Sequence, residues 1–135
     1  MTDRATSVRL SRQKQSATVP ELVVRTLVRE AGARYRVSNR DLPGSPDLAN
    51  RRRGWAIFVH GCFWHAHEGC ARSTLPKRNR AEWRRKFLAN RRRDALKTMA
   101  LVELGYRVCI LWECEVLGRR AVRSRLRRFL GKRGG

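Results

Sequence analysis

A mixed α/β domain, with helices flanking a small central sheet, is the fold class this sequence predicts. Three observations carry it. Trp55 to Val59 and Tyr106 to Trp112 are continuous apolar runs of strand length. Three other stretches place apolar residues at helical spacing. The order helix, strands, long helix, strand, helix then seats helices against a sheet. At 135 residues there is room for one domain with one modest core, and no internal repeat or domain boundary interrupts it. Residues 20–135 are expected to form that domain, with 1–19 as a flexible N-terminal arm.

Each element follows from local chemistry. The polar arm, rich in Ser, Thr, Arg and Gln, orders only on a partner. Thr18-Val19-Pro20-Glu21 then reads as a helix start: a capping hydroxyl, Pro in the first turn and an acid near the positive end of the dipole. Val24, Leu27, Val28 and Ala31 form its apolar stripe, which stops at Gly32. Arg34 to Val37 reads as a short strand. Leu42-Pro43-Gly44-Ser45-Pro46 is a stiff turn into a second strand, Asp47-Leu48-Ala49, and Asn50-Arg51-Arg52-Arg53-Gly54 is a hairpin turn. The buried strand Trp55 to Val59 follows and delivers the chain to His60. Arg80 to Leu104 is helical, with Trp83, Phe87, Met99 and Val102 among its apolar positions and Gly105 as its stop. The strand Tyr106 to Trp112 and a basic helix carrying Val122, Leu126, Phe129 and Leu130 complete the domain.

The charge balance selects the partner. Against 32 Lys and Arg stand 11 acids, a net charge of +21. A GC-rich genome would explain the preference for Arg over Lys but not that imbalance. A single domain so charged repels itself unless it works against a polyanion, and nucleic acid is the default one, ahead of ribosome-like RNA packing or an acidic membrane surface. The longest apolar runs fall far short of a membrane span, and Met1 to Leu10 has no signal-peptide core. A soluble cytoplasmic protein is expected, where four cysteines are better read as metal ligands than as disulfides.

The densest chemistry lies in His60-Gly61-Cys62-Phe63-Trp64-His65, followed by His67 and Cys70. Cys62, His67 and Cys70 offer two thiolates and an imidazole, one ligand short of the tetrahedron zinc takes. Cys109 lies mid-strand in an apolar run, where a small buried thiol is the usual occupant. Cys114 follows just past the strand end, where a loop can turn its side chain toward another loop, and it is the better fourth ligand. The alternative is a set of unlinked thiols and surface histidines. A structural zinc is closed, so its role would be to pin the loop, leaving His60 and His65 for other work. Asp47, at the head of a strand that pairs toward Val59 and His60, puts a carboxylate beside a backbone carbonyl. That is a hard-oxygen site suited to Mg²⁺, with a neutral imidazole nearby to accept a proton from water. Asp47 as a turn cap is the competing reading, and Glu21 in a first helical turn needs no function to explain it.

Three blocks carry a family resemblance: Pro43-Gly44-Ser45-Pro46-Asp47, His60 to His65, and Trp112-Glu113-Cys114. Together they resemble the very-short-patch-repair DNA mismatch endonucleases, over roughly Ser7 to Leu117. The resemblance implies a restriction-endonuclease-like fold with one structural zinc site. It also implies strand-specific nicking of duplex DNA beside T·G mismatches, which arise when 5-methylcytosine deaminates. Asp47 then resembles the Mg²⁺-binding carboxylate, with the Val59 carbonyl as a second ligand. His65 resembles the general base, Glu21 the acid supporting it, and His60 the second active-site histidine. The zinc ligands would be Cys62, His67, Cys70 and Cys114.

For recognition, Phe63, Trp64 and Trp83 would be the stacking wedge, since opening a base step costs a few kcal/mol and a T·G wobble lowers that cost. Without the resemblance, core packing would account for Phe63 and Trp83 as well. Lys86 and Asn90, one helical turn apart, resemble residues that contact the mismatched pair. Leu10 stands in the arm where an inserting Met is expected, while Gln13 occupies an apolar wedge position and makes for shallower insertion. Arg51 to Arg53 and Arg91 to Arg93 suit phosphate contact better than base reading. The expected assembly is a nucleoid-associated monomer, with other mismatch-repair proteins as further partners. Two rivals stand beside this: a nuclease of the same fold with another target, and a non-catalytic zinc-containing nucleic-acid-binding module.

Overall fold

The computed structural model describes residues 18–62, 77–118 and 120–131. Its elements are α1 (Val19–Glu30), β1 (Leu48–Asn50), β2 (Trp55–His60), α2 (Arg80–Glu103), β3 (Arg107–Trp112), α3 (Glu113–Leu117) and α4 (Arg120–Leu130). Among the described residues the sheet has three strands in the order β1-β2-β3. β1 pairs antiparallel to β2, Leu48 opposite Ile57, and β2 pairs parallel to β3 from Trp55 opposite Arg107 to His60 opposite Trp112. A parallel pair needs a long crossover, and that connection includes the 24 residues of α2. The result is a small mixed sheet with helices on both faces.

Alternation along β2 divides the core in two. On one face Trp55 and Ile57 join Leu48, Cys109 and Leu111 against Val24, Leu27 and Val28 of α1, Val116 of α3, and Val122, Leu126 and Leu130 of α4. On the other, Ala56 and Phe58 pack with Leu42, Ala49 and Leu101 of α2. Fully burying a Leu or Ile stabilises by roughly 1.5–3 kcal/mol, so the α1/α3/α4 face, with more large aliphatics, dominates the packing. The expected stripe of α1 is met, and Thr18 Oγ1 accepts from the Glu21 N–H at 3.4 Å as its cap.

Three expectations are corrected. Arg34 to Val37 is not a strand: Arg36 and Ala49 form an isolated bridge, with N···O distances of 2.8 and 3.1 Å. Ser38 then takes a positive φ of 58°, which ends the extension. Of the apolar positions read on α2, Phe87 is buried, but Met99 and Val102 point outward at 57% and 55% exposure and Leu101 is buried in their place. Cys114 sits in the first turn of a short helix, not in a loop, because the Glu115 carboxylate accepts the Trp112 N–H at 3.2 Å and folds the chain into α3.

The turn before β1 is tightly held. Gly44 has φ of 77°, and a Cβ there would come within 3.0 Å of Lys97 Cβ and 3.1 Å of Phe58 Cζ. Both the left-handed backbone and the close approach to α2 therefore require glycine. Asn39, 1% exposed, donates to the carbonyls of Arg36 (2.8 Å) and Pro46 (3.0 Å), while its Oδ1 accepts from Arg36 Nε at 2.7 Å. The backbone immediately before Asp47 is fixed from both sides.

Candidate active site

Because β1 runs against β2, the start of β1 and the carboxyl ends of β2 and β3 lie at the same end of the sheet. Asp47 enters β1 there, and its Oδ2 accepts the Val59 backbone N–H at 2.6 Å. That bond occupies one carboxylate oxygen and holds the side chain beside the Val59 peptide. From the first turn of α1, Glu21 reaches the same point and hydrogen-bonds Asp47 through its side chain. The sequence-predicted trio of Asp47, Val59 and Glu21 is therefore one cluster in space.

Two facing acids in a partly buried place cannot both ionise cheaply. Burial pushes the Asp47 carboxyl up to about 7; the Val59 N–H opposes this, and the neighbouring Glu21 charge and hydrogen bond add to it. Glu21 is raised as well, chiefly by burial, with Arg25 pulling the other way. Arg25 lies one turn along α1, its guanidinium 4.0 Å from the Glu21 carboxylate. Sequence reasoning missed it, although the i,i+4 spacing of Glu21 and Arg25 was a usable signal. Asn39, the pin behind Asp47, was missed too and had no sequence signal beyond its place before the turn.

The donor set fits a hard divalent cation. Carboxylate oxygens crowded together accumulate negative charge that a divalent ion relieves, and Asp47 Oδ1 and the Val59 carbonyl are oxygen donors of the right class.

The raised Asp47 carboxyl has a consequence for stability. A carboxyl with folded pKa near 7 and an ordinary value near 4 binds its proton more tightly in the folded chain. Its contribution to stability is full below about pH 4 and is lost as pH rises through about 7. Asp47→Asn should therefore be more stable than the wild type at pH 8 without added divalent cation. The gap should close toward pH 4. Thermal melts of both proteins across that range check it, and an unchanged gap would mean that Asp47 titrates normally.

His60 is placed differently. It is 6% exposed and alternates to the opposite face of β2 from Val59, with ring centroids 5.6 Å from Phe58 and 5.2 Å from Trp112. It stands at the same end of the sheet as Asp47, on the α2 side. Cys62 is buried two residues beyond His60, and Cys114, half-buried, lies two residues beyond Trp112. Since His60 and Trp112 are register partners, the two cysteines leave neighbouring parallel strands at matching points. Cys109 instead sits in the core opposite Ile57, where burial raises its thiol pKa. Cys62 and Cys114 are sulfur donors of the class that zinc takes.

On α2, Trp83 and Phe87 rings lie 6.1 Å apart, and Lys86 Nζ stands 5.0 Å from the Trp83 ring centroid. Trp83 and Asn90 are half-buried and Lys86 exposed, so the three are presented along one stretch of helix. Leu10, Gln13, Phe63, Trp64, His65, His67 and Cys70 lie outside the described residues.

The family model described as DNA mismatch endonuclease Vsr matches residues 1–72, a span that holds Glu21, Asp47 and the histidine-rich block. The Type II nicking enzyme V.XorIIP of Xanthomonas oryzae pv. oryzae is 42% identical over 134 residues, covering 96% of this chain and 98% of that protein. The Type II nicking enzyme V.NmeAIP of Neisseria meningitidis is 34% identical, covering 84% of this chain and 80% of its own. The DNA mismatch endonuclease Vsr of Escherichia coli is 39% identical over 94 residues, covering 70% of this chain and 60% of that protein. With one family model over half its length and relatives along nearly all of it, the chain belongs to the Vsr family of DNA mismatch endonucleases.

Proposed function

We propose that this chain nicks one strand of duplex DNA beside a T·G mismatch, by Mg²⁺-assisted attack of water on a phosphodiester. The observation that carries the reading is the cluster of Asp47, the Val59 peptide and Glu21 at the carboxyl end of β2 in a Vsr-family chain. Asp47 and the Val59 carbonyl would hold Mg²⁺, which supplies Lewis-acid polarisation of the phosphate when bound. His65 takes the proton from the attacking water, whose oxygen bonds to phosphorus as the P–O bond to the leaving nucleotide breaks. Glu21 supports that base, and His60 faces the scissile phosphate from the other side of β2. Cys62, His67, Cys70 and Cys114 hold a structural zinc that pins the loop bearing His65 and the aromatic pair Phe63-Trp64. Phe63, Trp64 and Trp83 probe the stack, Lys86 and Asn90 contact the mismatched bases, and Leu10 enters from the arm. The protein acts as a monomer on nucleoid DNA.

The deciding experiment is nicking of a panel of end-labelled duplexes, one for each mismatch and one fully paired, with Mg²⁺ present. Nicking confined to T·G, on the T-bearing strand, is expected. Equal cutting of the paired duplex would make this a nuclease with another target, and binding without cutting would make it a DNA-binding module.

A further inference from the structure

The hairpin turn Arg51-Arg52-Arg53-Gly54 joins β1 to β2 at the end of the sheet away from Asp47 and His60. Five residue steps along β2 separate Trp55 from His60, about 17 Å at the usual strand rise. Arg107, at the head of β3, continues this end: its N–H donates to the Gly54 carbonyl at 2.8 Å. Its guanidinium lies 5.1 Å from the Phe129 ring centroid and donates to the Phe129 carbonyl. Trp55 and Phe129 rings meet edge to face at 6.4 Å. The last turn of α4, with exposed Arg127 and Arg128, is thereby fastened beside the hairpin.

Six arginines from three elements thus converge on one pole. Asp41 lies against it through Arg51, and Glu103 stands just before Arg107 in the chain. Asp41 is already shared between Arg36 at 2.6 Å and Arg51 at 2.9 Å. Arg52, Arg53, Arg127 and Arg128 make no ion pair among the described residues. The helix dipole accounts for two of these cations at the end of α4, but not for a hairpin of three more fastened beside them. Like charges held together in this way repel one another unless an anion lies over them.

We propose that this pole is a second phosphate-backbone contact, separate from the active site, which grips DNA away from the scissile bond. The proposal takes from the functional reading only that DNA is the polyanion. Seventeen ångström corresponds to about five base pairs of a duplex running along β2. The phosphates could therefore come from the flank of the nicked duplex or from a second duplex segment.

The test uses two double variants of the full chain, Arg52→Gln/Arg53→Gln and Arg127→Gln/Arg128→Gln. All four side chains are exposed, and matching thermal melts confirm folding. Affinity for a 30-base-pair T·G duplex is measured over a salt series. Each double variant should flatten the plot of log K against log salt by about 2, since each phosphate contact contributes about 0.9. Arg123→Gln, which removes an arginine paired to Glu30 at 3.5 Å, should leave the slope unchanged. The nicking rate of Arg123→Gln at saturating DNA should not move either.

If the flattening is seen with 30 base pairs but not with 8 centred on the mismatch, the phosphates belong to the flank. If the single-duplex slope is unchanged but the wild type joins two differently labelled duplexes and the variants do not, they belong to a second segment. Unchanged slopes together with unchanged joining overturn the proposal, as does an equal loss on the 8- and 30-base-pair duplexes. A wild type that cannot nick while the slopes still fall would sink the proposed reaction and leave this surface standing.

Discussion

Asp47→Ala should lose nicking of a T·G duplex by at least about a thousandfold, the equivalent of about 4 kcal/mol of transition-state stabilisation. The same substitution should leave DNA affinity intact, and at low salt slightly improve it. Both halves follow from the site. Asp47 is the carboxylate fixed against the Val59 peptide at 2.6 Å and against Glu21, so its removal takes away the main oxygen donor for a divalent ion. It also takes away negative charge from a surface that must approach a polyanion, which favours binding. The expected pattern is a collapse of kcat with an unchanged or lower Kd, measured by single-turnover nicking and by fluorescence anisotropy on one duplex. A variant that nicks at the wild-type rate would show that Asp47 only caps its turn. A variant that loses binding and cutting together would show that the turn from Pro43 to Pro46, not the carboxylate, had been disturbed.

The sequence made Asp47 legible because a Pro-Gly-x-Pro turn and a following hairpin can be read locally, and together they bring the head of β1 to the end of β2. The histidine-rich block stands out in the sequence by its motif and spacing, and from Phe63 to Cys70 it lies outside the described residues. Features that depend on how distant elements settle were not. Arg36 has the residue pattern of a short strand, yet Ser38 and the buried amide of Asn39 turn the chain after one bridge. Met99 and Val102 have helical spacing, but spacing gives a face and not its direction, and the sheet takes Leu101 instead. The Arg51 to Arg53 run could be recognised as basic. Its position about 17 Å along the sheet from the end that carries Asp47 and His60 appears only once the hairpin is built. Arg25 was hidden for a simpler reason: in a chain with 32 basic residues no single arginine stands out.

That placement separates two tasks within one small sheet. Among the described residues Glu21, Asp47, Glu113 and Glu115 gather around the carboxyl ends of β2 and β3 or the elements that adjoin them. The opposite pole is basic. On the proposed reading, the acidic end would need a divalent ion to let a phosphate approach, and the surrounding arginines would supply the general attraction. Cutting and holding then rest on different residues, which is why Asp47→Ala is expected to keep its affinity.

The remaining large effect concerns zinc, and stability alone cannot decide it. Cys114→Ser and Cys109→Ser should both lower the melting temperature, for different reasons. Cys109 is buried in the core opposite Ile57, where a serine hydroxyl without a partner costs about 1–3 kcal/mol. Cys114 leaves β3 at the point where Cys62 leaves β2, so its loss should open the proposed zinc tetrahedron and remove the binding energy that such a site would supply. The discriminating quantity is metal per chain. Cys109→Ser should retain one zinc, read by elemental analysis of the purified protein, whereas Cys114→Ser should fall well below one. Cys62→Ser should match Cys114→Ser, because a closed four-ligand site fails by the same route whichever thiolate is withdrawn. Full zinc in Cys114→Ser with none in Cys109→Ser would reassign the fourth ligand, and it would require β3 to shift its register against β2, since Cys109 lies three residues inside the strand.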